Sequence, residues 1–419
     1  MSQLGWIDFS PDDRNKVRTV LALLAEKGTL DELGIGQIRD AFSDLLFPGI
    51  STIQTRAKYF ITVPRILRDY QNLTSSKKRS YKSLQKYLYD RENEIAKILV
   101  SVHDESIKGI IGRTRVETGG VSRHPSEVYW NGLRTFSLVK TKLSLTEFCH
   151  QLERSAFHIG SAESDHNEDS DDTDSLKSKQ LIQLPDQVLN WNSQDNLKIQ
   201  LSHKEGEFLK AKMSETPGIE LTVAAQLFKH HLVDKVLVEN ANTELSAFDE
   251  LTGIMLIHEK VDSECKRRLQ LASEFSLAIE GPHIRYNIML AKNNDYEDSV
   301  DKYEQEYEEW LDDTRSKNIF KEGCEDEWIT VSDEVNRTIK HSTRSFVKQW
   351  CEALRQNVNH EQLNKIVSTQ AIRNKGERSL LKRKLANNQW MGIRRLDFRW
   401  GTARTIIQDI QDGLKHADT

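Results

Sequence analysis

Apolar residues recur along this chain mostly three and four positions apart, the period of a helix with one buried face. Ser10-Pro11-Asp12-Asp13 marks a helix start, with a serine N-cap and a proline at the first helical position. Val17, Val20, Leu21 and Leu24 form its inner stripe. Ile38, Phe42, Leu45 and Leu46 predict a second helix over about residues 36–47, ended by Pro48-Gly49. Ser51 caps a third, with Ile53, Ala57, Phe60 and Ile61 inward, and Pro64 kinks or ends it. Residues 75–100 read as one long basic helix, and residues 126–133 as a short one. The polar stretch 114–124 between them fits a loop or a β-wing.

Farther along, residues 221–238 and 245–278 carry the strongest helical runs. Tyr296, Val300, Tyr303, Tyr307 and Trp310 then recur at spacings of 4, 3, 4 and 3. They form an a/d-like stripe on a very acidic helix, too short for an independent coiled coil. Residues 337–356, with Ile339, Phe346, Trp350 and Leu354 inward, and residues 402–415, with Ile406, Ile407, Ile410 and Leu414 inward, complete the helical pattern. Only 7 prolines and 20 glycines interrupt 419 residues. The pattern predicts a mainly α, multi-domain helical protein with little β. The N-terminal unit is compatible with a helix-turn-helix or winged helix.

Charge changes the picture by dividing the chain. Glu163 to Ser175 has no apolar residue and dense acidity, so it reads as a disordered linker. The expected organisation is an N-terminal helical unit at 1–160, an acidic linker at 161–178, a central helical unit at 179–334 and a basic helical segment at 335–419. Ten basic residues stand against Asp69 and Asp90 in residues 51–91, and eleven stand against Glu377 and Asp397 in residues 365–404. The net charge of -5 hides this segregation.

Candidate chemistry is sparse. There is no phosphate-binding loop signature, and Gly34-Ile35-Gly36 lacks the third glycine and the preceding strand of a dinucleotide fingerprint. His230-His231 are adjacent, so on a helix they point about 100° apart and do not share an ion easily. His258-Glu259-Lys260 superficially matches the HxK of phospholipase-D-type enzymes, but Cys265 stands where the following Asp belongs and no second copy exists. No cofactor and no metal are expected. Cys149, Cys265, Cys324 and Cys351 form no CxxC pair, which favours a reducing cytoplasm. No stretch approaches the roughly 18 apolar residues of a membrane span, and the N-terminus has no signal-peptide pattern.

The positive signal is the basic surface. Lys58, Arg65 and Arg68 share a face if residues 51–70 stay helical, and Arg56 joins them as a candidate contact. Lys375, Arg378 and Lys382 are spaced i, i+3 and i+7, and Trp390, Phe398 and Trp400 interleave with Arg394, Arg395 and Arg399. Cations that neutralise phosphates release counterions, and aromatics stack on unpaired bases. These ten cations are the candidate nucleic-acid contacts. Tyr296, Tyr303, Tyr307 and Trp310 are the candidate partner-docking face. Basic runs and interleaved aromatics also arise as solvated faces and core, so docking within the chain or to a protein stays open beside DNA contact.

Gly5-Trp6-Ile7-Asp8, Asp31 to Gly36, Ile38 to Phe42, Leu46-Phe47-Pro48-Gly49, Ser51 to Phe60, Tyr129 to Leu133 and Arg399-Trp400 with Ala403-Arg404 resemble a bacterial family of unknown function. The match is dense over residues 5–70 and patchy beyond. The resemblance implies a setting beside helicases and phospholipase-D-type nucleases in anti-phage defence islands. It carries no active site. The expectation is a non-catalytic accessory subunit that binds DNA or docks such a helicase or nuclease. A pure protein scaffold and a diverged metal-dependent nuclease remain the alternatives.

Overall fold

The computed structural model describes residues 31–116, 118–161, 181–185, 197–238, 246–336, 338–385 and 389–416. Among the described residues there are 16 α-helices and no strand, so the fold is all-α. No described helix is long and apolar enough to cross a membrane. The helix expected after Ser10 lies outside the described residues, as does the expected linker beyond Ser161. Residues 114–124 form turns and carry no wing strand among the described positions. The carbonyl of Arg115 gathers the amides of Thr118, Gly119 and Gly120, each at 3.1 Å.

Two compact units each join separated stretches of chain: 1–42 with 268–396, and 43–267 with 397–419. The boundaries expected from composition follow chain order instead. The segment 335–419 is divided between the units, because composition carries no record of which distant stretches pack together.

In the unit of residues 43–267 and 397–419, the helix Tyr59–Gln71 starts later than Ser51. The preceding residues turn around Tyr129. Its hydroxyl accepts the amides of Thr55 (2.8 Å) and Arg56 (3.0 Å) and donates to the Arg56 carbonyl (2.9 Å). The helix continues through Pro64, held by the buried Val63, Ile66 and Leu67. The expected 75–100 helix is two, Ser75–Arg79 and Leu84–Val102, each with its own cap, Thr74 and Ser83. Helix Pro125–Thr135 meets the Tyr59–Gln71 helix closely: a Cβ on Gly132 would stand 2.7 Å from the Phe60 ring and 2.5 Å from the Gly49 carbonyl oxygen. Phe60 then meets Tyr129 edge-on at 4.9 Å. The last helix, Trp400–Lys415, lies on helix His203–Glu215, where Gly206 admits the Ile410 carbonyl and Gly413 admits Leu201.

In the unit of residues 1–42 and 268–396, the helix Ser263–Asn293 supplies residues 268–293 as a central element. Pro282 sits inside it and has no N–H for the carbonyl four residues back. That carbonyl, of Ala278, instead accepts the indole N–H of Trp350 at 3.3 Å. One residue earlier, the Leu277 carbonyl accepts the indole N–H of Trp310 at 2.7 Å. Trp310 fits because Gly281 has no side chain; a Cβ there would lie 2.3 Å from the indole.

The acidic helix Glu297–Ser316 therefore turns its aromatic stripe inward. Tyr303, Tyr307 and Trp310 are buried, and the half-buried Tyr296 donates its hydroxyl to the Leu385 carbonyl at 3.3 Å. This corrects the expected docking face. An a/d stripe needs a partner, and here the unit's own helices supply it. Arg285, also fully buried, lies over the Tyr307 ring at 4.8 Å and pairs with Glu304 at 3.0 Å.

Candidate functional site

The ten cations singled out by sequence are mostly committed to internal partners. Arg56 is bound to Asp409, Nη2 to Oδ1 at 2.7 Å and Nε to Oδ2 at 2.9 Å, and Asp409 also accepts the Ala57 amide at 2.8 Å. Burial pulls the Arg56 pKa down, but the hydrogen bond and charge of Asp409 outweigh it and the net shift is upward. Lys58 is buried and donates to both Glu205 oxygens, at 2.7 and 2.9 Å. Arg65 pairs with Asp69 at 2.8 Å, and Arg68 donates to the Ile182 carbonyl. These four do not present a free cationic face, which corrects the expectation for residues 56–68. Residues that interrupt an otherwise apolar, buried helix keep a charge only when it is paired.

The C-terminal set is also dispersed. Helix His360–Lys375 ends where Gly376 takes a φ of 59°, so Lys375, Arg378 and Lys382 do not share one helical face. Lys382 pairs with Glu377 at 2.6 Å. Lys375 is half-buried and Arg378 exposed, and no ion pair joins either to a described residue. Arg394 lies over the Trp390 ring at 3.9 Å and pairs with Glu306 at 3.3 Å. Arg395 is half-buried. Arg399, in a left-handed turn, donates to Asp44 (2.6 Å) and to the Ile50 carbonyl (2.8 Å). Phe398 and Trp400 are core residues.

The structure instead joins two motifs that sequence leaves separate. His230-His231 and His258-Glu259-Lys260 line one open cleft of about 610 Å³ with Lys229, Lys235 and Ile257. The cleft exists because the expected 221–238 helix is broken. Helix Val223–Lys229 begins on the Thr222 cap and ends at His230; His231 then adopts a φ of 54°. The Leu232 amide closes back on the Leu227 carbonyl at 2.9 Å, and helix Val233–Leu237 follows. Leu232, Val233 and Val236 are buried, which leaves the histidines and lysines outward. The opposite wall begins at the end of helix Ala247–Ile257. Its loop is fastened by the buried Gln226, whose side chain accepts the Asp262 amide at 2.9 Å and donates to the Glu220 carbonyl at 2.8 Å.

Lys229, Lys235 and Lys260 are exposed, and none forms an ion pair with a described residue. Among the described residues, Glu259 is the one acidic residue lining the cleft. The His230 and His258 rings are 5.9 Å apart between centroids. Burial, then Lys229, His258, Lys260 and His231, hold the His230 pKa below its ordinary value. Ile257 is 74% exposed at the rim, an apolar group set among cations. Chemically this is a cationic surface with an apolar contact. Sequence reasoning passed over it because its three lysines lie outside the dense basic segments, and because nothing in the sequence tells that residues 229–235 face residues 257–260.

Among the described residues, the one group of three or more His, Cys, Asp or Glu ligand atoms close enough to share a cation is Cys324, Glu325 and Cys351. Its Glu325 carboxylate is already held by Arg355, at 2.6 and 2.9 Å.

A family described as a family of unknown function (DUF6361) matches residues 1–413, and the chain belongs to that family. No curated protein and no solved structure matches the chain.

Proposed function

We propose that this member of the DUF6361 family is a non-catalytic nucleic-acid-binding subunit whose phosphate contacts are made by the cleft of Lys229, Lys235 and Lys260. One observation carries the reading: these three lysines are exposed in a concave site and form no ion pair with a described residue, whereas most of the cations marked by the dense basic segments are paired internally. Lysines that form no described ion pair gain the counterion-release term when they neutralise phosphates. The setting that the resemblance implies, beside a helicase or phospholipase-D-type nuclease in an anti-phage complex, is part of this proposal. In that setting the partner supplies the chemistry.

Ile257 favours a second reading, in which the cleft takes an acidic protein segment with an apolar anchor. Fluorescence anisotropy of the full chain with short single- and double-stranded DNA at low and high salt separates the two. Salt-dependent binding lost in a Lys229→Glu, Lys235→Glu, Lys260→Glu variant with wild-type circular dichroism supports DNA contact. Absence of binding at low salt sinks it. Co-purification of a partner that depends on the same lysines, without DNA affinity, establishes the docking reading.

A further inference from the structure

We infer that Cys324 and Cys351 are a hydroperoxide-oxidisable thiol pair that closes as a disulfide between two helices of the 268–396 segment. The pair is independent of the basic cleft. Cys324 is the first residue of helix Cys324–Asp333, and Cys351 lies near the C-terminal end of helix His341–Arg355. Both are fully buried, and their sulfurs and a Glu325 oxygen all lie within 4.8 Å of one another. The other two cysteines, Cys149 and Cys265, belong to no such group among the described residues.

The surroundings distinguish the two thiols. Cys324 Sγ donates to Glu325 Oε2 at 3.3 Å and lies 3.9 Å from Arg355 Nη1. Cys324 stands at a helix N-terminus with the Arg355 guanidinium against its sulfur, and this geometry assigns it as the attacking sulfur. Contact with Cys324, then burial, push the Cys351 thiol upward, so it resolves rather than attacks.

The chemistry balances with one molecule of hydrogen peroxide. The Cys324 thiolate displaces hydroxide from peroxide, giving a sulfenic acid; the hydroxide takes the proton Cys324 gave up and leaves as water. The Cys351 sulfur then attacks Cys324 Sγ, the S–OH bond breaks, and the Cys351 proton leaves with the hydroxyl as a second water. Both sulfurs are oxidised and the peroxide is reduced. Glu325 and Arg355 keep their mutual ion pair throughout, so no net charge is added to a buried site. Peroxide is small enough for a site that opens only by local fraying of a helix end.

A metal ion competes poorly for the same atoms. A closed tetrahedral site needs four donors, and the group offers three, one of them occupied by a guanidinium on both oxygens.

The test is peptide mapping of the full chain after hydrogen peroxide, with free thiols alkylated under denaturing conditions. The expected result is loss of two of the four thiols. A linked Cys324–Cys351 peptide pair should appear two hydrogens lighter and be restored by a dithiol reductant. Cys149 and Cys265 should remain alkylated. In Cys351→Ser the oxidation should stop at a sulfenic acid on Cys324, trapped by dimedone. Four alkylatable thiols after oxidation, equal oxidation of Cys149 or Cys265, or stoichiometric Zn²⁺ uptake requiring both cysteines would overturn the inference.

Discussion

Arg56 and Asp409 are joined across 353 residues of sequence by a two-armed ion pair, with Nη2–Oδ1 at 2.7 Å and Nε–Oδ2 at 2.9 Å. The pair fastens the turn before helix Tyr59–Gln71 to the last helix, and it removes from the surface a cation that looked available for phosphate. Asp409 is 7% exposed and Arg56 17%. Removing one partner leaves the other's charge uncompensated in a poorly solvated place.

Arg56→Ala is therefore predicted to cost about 3 kcal/mol or more in urea unfolding. Arg56→Ala with Asp409→Ala should cost clearly less than the sum of the two single changes. A loss near zero for the single variant would refute the assignment of this pair as a structural tie.

The cleft carries the opposite expectation. Lys229→Ala, Lys235→Ala and Lys260→Ala change exposed side chains, so each should shift stability by less than about 0.5 kcal/mol. Together they should flatten the dependence of DNA affinity on salt, lowering the logarithmic slope by about 2 to 3 if each lysine neutralises one phosphate. An unchanged slope would place the phosphate contacts elsewhere.

Trp350 and Pro282 form a pair of another kind, a donor supplied where a helix lost one. Trp350→Phe leaves the Ala278 carbonyl without the indole N–H and should cost about 1–3 kcal/mol. Pro282→Ala restores an amide able to reach that carbonyl, so Trp350→Phe should cost less in the Pro282→Ala background. Equal costs in both backgrounds, read by thermal and urea unfolding, would show that the hydrogen bond is not the operative contact.

His283 gives a pH dependence. It is fully buried, its Nδ1 contacts the Ile279 carbonyl at 2.9 Å, and its Nε2 has no partner among the described residues. Burial holds its pKa below the ordinary histidine value, against opposing pulls from the Ile279 carbonyl and Asp31. The unfolded chain then binds a proton near pH 6.5 that the folded chain refuses, so stability should fall as pH drops below that value. The slope is at most about 1.4 kcal/mol per pH unit for one group. His103 and His230 shift in the same direction. His283→Asn should accordingly lessen, not abolish, the loss between pH 7 and pH 5.5. A stability that rises on acidification would contradict the sign.

Periodicity alone settled the helical class of this protein. Stripes such as Ile38, Phe42 and Leu46, or Ile406, Ile407 and Ile410, state which face is buried without stating against what, and all six are in the core. Local chemistry also set several limits: Thr74, Ser83 and Thr222 cap helices because their side chains satisfy the first free amides. Sequence could not decide where charge goes. Whether Arg56 meets a phosphate or Asp409, and whether Tyr307 meets a partner or Arg285, depends on contacts hundreds or tens of residues apart. Nor could it join His230-His231 to His258-Glu259-Lys260, because a left-handed residue at His231 and one buried Gln226 bring the two loops to a common cleft. Burial follows a local period, and so is written in the chain. Pairing of charges follows proximity in space, and only the tertiary structure decides it.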